Sequence, residues 1–232
     1  MKITDFKGLK NTHHIQVVDV WKQEDKLVVE MAAGDITWRP GEHAVFSMPG
    51  RNVEGKKWRA FSIASVPSEG VIRIGTKISS PSSSFKQELQ KLKKGDHVKM
   101  RGPFGWFYRQ DETTPVIMVA AGIGITPILA MVKQYQEDPT KSDVHVIYSS
   151  DGEYLFKEML DTAAKSNPKL SVSYVKDSKQ VNNELTELNK KYDSQAYFFI
   201  SGAPSMIKSL SKTIKGFGVK KSRIIADPYL GY

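Results

Sequence analysis

Arg59-Ala60-Phe61-Ser62-Ile63-Ala64-Ser65 places a fixed cation, a flat aromatic ring and a short hydroxyl at the end of one expected strand. A guanidinium is a permanent, two-pronged donor suited to phosphate. Further on, Gly122-Ile123-Gly124-Ile125-Thr126-Pro127 reads as a tight turn between an apolar strand and a helix. Glycine has no Cβ, so the backbone at such a turn can approach a phosphate or a planar ring closely. The pattern alone is common; the strand before it and the amphipathic helix after it supply the context the motif requires. A third segment, Lys77-Ile78-Ser79-Ser80-Pro81-Ser82-Ser83-Ser84-Phe85-Lys86, sets serines ahead of a predicted helix. Ser84, or Ser83 beside it, is a good N-cap, and the free N–H groups of a helix start favour an anion. Taken alone, this segment is better read as a serine-rich loop that merely caps a helix, which needs no phosphate.

These residues need two different scaffolds. Residues 1–108 read as β structure: alternating runs such as His14–Val18, Lys26–Glu30 and Val71–Ile74 are separated by Gly, Pro and charged turns. A string of strands without crossover helices predicts an antiparallel barrel. The one helix candidate spans Ser84–Leu92, with Phe85, Leu89 and Leu92 at helical spacing. Residues 112–232 change period. Apolar strands are expected at Val116–Ala121, Val144–Tyr148, Leu170–Val175, Tyr197–Ser201 and Arg223–Ala226. Helices are expected to begin near Pro127, Tyr154, Asn182 and Pro204, which predicts an α/β doubly wound parallel sheet.

Composition narrows the chemistry. At 232 residues and 40% hydrophobic content, the chain can bury one large core or two ordinary ones. With no cysteine it forms no disulfide, thiolate metal site or iron–sulfur cluster. His13, His14, His43, His97 and His145 show no metal-ligand spacing, so no metal is expected. Pro115–Val132 runs for 18 residues without a charge, but Gly122, Gly124 and Thr126-Pro127 interrupt it, so no membrane span is expected. The N-terminal Met1-Lys2-Ile3-Thr4-Asp5 lacks the apolar core of a signal peptide, which makes a cytoplasmic location the expectation. The net charge of +9 resides in dispersed lysines with no recognised motif, which disfavours nucleic acid. Clusters such as Lys91–Lys94 and Lys215–Arg223 suit either a solvated face or an acidic electron-transfer partner.

In order along the chain, Pro40-Gly41, the Arg59–Ser65 segment, Gly102-Pro103-Phe104-Gly105, Gly122–Pro127, Ser201-Gly202-Ala203-Pro204-Ser205-Met206 and an acidic–aromatic tail resemble the ferredoxin–NADP reductase family. The resemblance covers nearly the whole chain. It implies a flavin-binding barrel followed by a pyridine-nucleotide domain of strand order 3-2-1-4-5. It also implies FAD and NAD(P)H as cofactors, with hydride passing to the flavin and electrons leaving singly to an unidentified acceptor. Many relatives carry a [2Fe–2S] centre; without cysteine, this chain must pass electrons on from the flavin itself.

By that resemblance Arg59 meets the pyrophosphate, Phe61 stands where many relatives have Tyr and packs on the flavin, and Ser62 lies near flavin N5. The backbone of Ile63 and Ala64 meets the ring edge, while Lys77, Ile78, Ser83, Ser84 and Phe85 belong to the phosphate loop, which favours FAD over FMN. Gly122, Gly124 and Thr126, with Gly202, Pro204 and Met206, face the nucleotide. Ser201 occupies the position of a family cysteine. Asp227 stands for the family's acid, and Tyr229, with Tyr232 as the alternative, covers the flavin. Tyr148-Ser149-Ser150-Asp151-Gly152-Glu153 offers carboxylates and no base where a 2′-phosphate would sit, so NADH is expected over NADPH, although Lys157 lies within reach. Two alternatives stay open: a free-flavin or ferric reductase of the same architecture, and a non-catalytic flavin- or nucleotide-binding subunit.

Overall fold

The computed structural model describes residues 2–138 and 141–228, which fall into two compact units, one ending at Tyr108 and one starting at Arg109. The first unit holds β1 (Thr12–Gln23), β2 (Lys26–Ala32), β3 (His43–Ser47), β4 (Trp58–Ser62), β5 (Val71–Lys77) and β6 (His97–Phe104). They form one antiparallel sheet in the order β4-β3-β6-β1-β2-β5. Its two edges are brought together past the end of β4, where the Ala64 N–H donates to the Arg73 carbonyl of β5 at 2.7 Å. The sheet's inner face buries Val17, Val29, Met31, Phe46, Ile72, Ile74 and Met100.

One helix, α1 (Ser84–Gln90), plugs this core with Phe85 and Leu89, one turn apart on one face. It stops two residues before the expected end, and Leu92 packs into the core from the turn that follows. Ser83, not Ser84, is the N-cap: its side chain accepts from Lys86 N at 3.4 Å. A 3-10 segment, Ile3–Lys10, precedes β1, and its Asp5 is buried against Tyr108 and Arg39. Its apolar residues Ile3, Phe6 and Leu9 recur every three positions, the 3-10 period, which a search for strand alternation or the α-helical period passes over.

The second unit alternates strands and helices. Its strands are β7 (Val116–Ala121), β8 (Val144–Ser149), β9 (Leu170–Val175), β10 (Tyr197–Gly202) and β11 (Ile224–Pro228), all parallel. The order β11-β10-β7-β8-β9, read from the β9 edge with these five strands counted along the chain, is 3-2-1-4-5, as expected. The helices are α2 (Ile125–Glu137), α3 (Lys157–Ser166), α4 (Ser178–Tyr192) and α5 (Pro204–Gly216). Two starts differ from expectation. α3 begins three residues after Tyr154 because Phe156 sits in the left-handed region, and α4 begins four residues before Asn182, where Asp177 caps it by accepting from Gln180 N at 2.8 Å. The expected amphipathic pattern of α2 also fails in its first half, where every residue from Ile125 to Val132 is buried. Among the described residues, no helix is long and apolar enough to cross a membrane.

Candidate cofactor half-sites

In the first unit, β4 delivers Arg59 and Ser62 at a sheet edge. Arg59 is half-buried, its Nη1 donates to the Lys56 and Trp58 carbonyls at 2.7 and 2.9 Å, and its guanidinium lies 5.3 Å from the Phe85 ring centroid. Among the described ion pairs none involves Arg59. The buried Lys86 is its neighbour. Burial, and next the nearby charge of Arg59, lower the Lys86 pKa, while its Nζ donates to the Lys77 carbonyl at 2.7 Å. Lys86 was not among the expected site residues. Its signal was a base in the first turn of a helix, where a base is electrostatically misplaced unless an anion is near. Two cations beside the start of α1 fit a pyrophosphate. Ser84 Oγ accepts from Glu54 N at 2.9 Å, which ties the preceding loop to the helix start.

The other expected residues of this half-site make contacts within the first unit. Phe61 is 5% exposed and tilts between Phe46 and Phe85, because strand alternation turns it inward with the core row of β3 and β6. The Ile63 N–H is committed to the Glu42 carbonyl at 2.9 Å and the Ala64 N–H to Arg73, so neither donates to a ring edge. Lys77 pairs with Asp25 at 3.1 Å and the Ile78 N–H donates to the Asp25 carbonyl at 2.6 Å; both fasten the strand end to the β1–β2 turn. Phe85 is fully buried and acts as the core anchor of α1. Ser62 is half-buried at the end of β4, across from His43 of β3.

In the second unit, β7 and β10 are neighbours at the point where the chain order reverses. Gly122 has φ +52° with open space where a Cβ would stand, so the turn needs glycine for its backbone and leaves its surface accessible. Gly124 is buried in the same turn, and the buried Thr126 hydroxyl donates to the Ile123 carbonyl at 3.0 Å. At Gly202 a Cβ would lie 2.5 Å from Met206 Cε, so Met206 packs on the bare backbone, and Pro204 opens α5. α1 and α4 start with side-chain caps; α2, α3 and α5 have none, and of these α2 and α5 follow the adjacent strands β7 and β10. Their first N–H groups therefore have no side-chain acceptor.

Ser201 was expected at an open catalytic edge, but it is 0% exposed. Its partner across the parallel register is Asp227, and the Ser201 hydroxyl donates to Asp227 Oδ2 at 3.5 Å. A strand buried on both faces leaves its residues no surface, which is the physical reason for the correction. Tyr229 and Tyr232 lie outside the described residues. Lys157, the possible 2′-phosphate ligand, is held by Asp161 at 2.5 Å and lies 4.5 Å over the Tyr174 ring. Asp151 and Glu153 are exposed beyond β8.

Residues 118–212 match the family model for the oxidoreductase NAD-binding domain. The toluate 1,2-dioxygenase electron transfer component of Pseudomonas putida is 24% identical over 205 residues, covering 84% of this chain and 59% of that protein. NADH-cytochrome b5 reductase 1 of Aspergillus fumigatus is 28% identical over 165 residues, covering 63% and 53%. The chain thus spans little more than half of those relatives. Among solved structures, the ferredoxin-NADP+ reductase of Plasmodium falciparum shares the fold at TM-score 0.78 and 19% identity, over 95% of this chain and 97% of that one. Residues 118–212 thus belong to the oxidoreductase NAD-binding domain family, and the chain shares the fold of the ferredoxin-NADP+ reductases. Ser201, where the sequence resemblance would place a cysteine, is buried. Among the described residues, no cluster of three His, Cys, Asp or Glu could hold a metal ion.

Proposed function

We propose that this chain is an FAD-dependent NAD(P)H oxidoreductase. The first unit binds FAD and the second binds the pyridine nucleotide. Bound flavin supplies the chemistry, accepting hydride from the nicotinamide and passing electrons to an acceptor. The observation that carries the reading is the placement of two helix starts without side-chain caps, those of α2 and α5, after the adjacent strands β7 and β10. Backbone donors at such a switch point suit a dinucleotide pyrophosphate.

The chain's own residues divide the work. Arg59 and Lys86 neutralise the flavin phosphates beside α1, and Ser62 offers a hydroxyl to the ring from the end of β4. Gly122 lets the nucleotide approach, while Gly202 and Met206 shape the second turn. Ser201 and Asp227 act as a buried pair that supports this turn. NADH is the preferred donor, because Asp151 and Glu153 favour a free ribose and Lys157 is already engaged by Asp161 and Tyr174. The acceptor is a small molecule or an electron-transfer protein, and the cytoplasm is the proposed location.

The test is the purified protein itself. It is expected to be yellow and to release FAD on denaturation. Colourless protein that turns over added free flavin would replace this reading by the free-flavin reductase. Tightly bound flavin that NADH and NADPH both fail to reduce would replace it by the non-catalytic subunit.

A further inference from the structure

The outer face of the first unit's sheet carries a pocket that the flavin reading does not use. Strand register puts Trp58, Ser47 and Lys99 in one cross-strand row, and Ala60, Val45 and Arg101 in a second row on the same face. The row between them, Arg59, Phe46 and Met100, turns the opposite way, with Phe46 and Met100 in the core. Lys57, and Leu9 from the 3-10 segment, complete a pocket of ≈ 480 Å³. That volume lies within the range of small-molecule sites, about 300–1,000 Å³.

Three features define what fits. Trp58 is 46% exposed, one of two large hydrophobic side chains so exposed among the described residues, and Lys56 Nζ sits 3.8 Å from its ring centroid. An indole ring in a concave, half-apolar setting favours a planar aromatic partner. The charged part of the wall is cationic throughout: Lys57, Lys99 and Arg101 line the pocket and no acid does. None of the three forms an ion pair among the described residues; Arg101 Nη2 donates only to the Leu9 carbonyl, at 3.3 Å. Lys99 and Arg101 are also alternate residues of one strand, roughly 7 Å apart on one face. Like charges so placed repel, and an anion between them removes the repulsion.

The geometry points to a binding site for a small planar aromatic anion. Its ring lies against Trp58 beside Leu9 and Val45, and its carboxylate or phosphate meets Lys99 and Arg101. This site is separate from the phosphate half-site, because Arg59 belongs to the row that faces the other way.

Titration calorimetry of the full chain with 2-naphthoate at low salt tests it, whether or not the protein carries flavin. One saturable site is expected, with the neutral 2-naphthalenemethanol at least tenfold weaker. Trp58→Ala is expected to weaken 2-naphthoate at least tenfold. Arg101→Ala, at an exposed position, is expected to weaken it severalfold and to flatten its salt dependence. No saturable binding, equal affinity for the neutral compound, or indifference to both substitutions would overturn the site. So would displacement of 2-naphthoate by NADH, which would place the anion in the nucleotide domain. Displacement by poly-L-glutamate with the same strength in Trp58→Ala would instead assign this face to an acidic macromolecule.

Discussion

Arg59 and Lys86 are two neighbouring cations, and among the described residues Arg59 donates hydrogen bonds to backbone carbonyls, those of Lys56 and Trp58. An arriving phosphate satisfies both, so Arg59→Ala should weaken FAD binding by about 1.5–3 kcal/mol, the range for a hydrogen bond to a charged group. Fluorescence titration of apoprotein with FAD reads this as roughly a ten- to hundredfold rise in Kd, and an unchanged Kd would move the phosphate elsewhere. Ser201 carries a different expectation. Its hydroxyl meets Asp227 at 3.5 Å, the long limit of a hydrogen bond, so Ser201→Ala should cost less than about 1 kcal/mol of stability. If flavin reduction slows by more than tenfold while the melting temperature holds, Ser201 acts in the reaction and not as a support. Specificity is testable at the same scale. Glu153→Arg together with Asp151→Ser should shift the kcat/KM ratio toward NADPH, and a ratio that stays fixed would separate these residues from the ribose.

At the scale of elements, the far end of the parallel sheet holds a chain of titrating groups. His145 on β8 bonds Ser171 through Nδ1 at 2.5 Å and the Tyr192 hydroxyl through Nε2 at 2.6 Å, while Tyr192 donates to Asp143 at 2.6 Å. Burial, then Lys191, lower the His145 pKa below its usual 6.5, with Asp143 opposing. The unfolded chain therefore takes up this proton first, and stability is lost as pH falls from 6.5 through the folded value. Melting curves should show this loss, and His145→Gln should flatten it; identical slopes would dismiss the histidine. The same elements show what a sequence discloses. β7 has the expected bounds because a buried parallel strand is an unbroken apolar run, whereas β9, at the sheet edge, has them through the alternation Leu-Ser-Val-Ser-Tyr-Val. The start of α4 was misplaced because its signal is one capping side chain, Asp177, rather than a period. Likewise, Arg59 and Gly122 were legible from residue type. The engagement of the Ile63 and Ala64 N–H groups was not, since it depends on which distant carbonyls, those of Glu42 and Arg73, close the sheet.

The whole molecule carries one antiparallel and one parallel sheet on a chain of net charge +9. An acidic acceptor protein would be steered by that charge, so its reduction rate should fall steeply with salt, whereas reduction of a neutral small molecule should not. Hydride transfer from nicotinamide to bound flavin is read by anaerobic stopped-flow mixing of the purified protein with NADH or NADPH. The expected result is loss of the oxidised flavin's visible absorption within one turnover, faster with NADH and sensitive to Arg59→Ala through flavin occupancy. A flavin band that persists unchanged at saturating NADH and NADPH would contradict it.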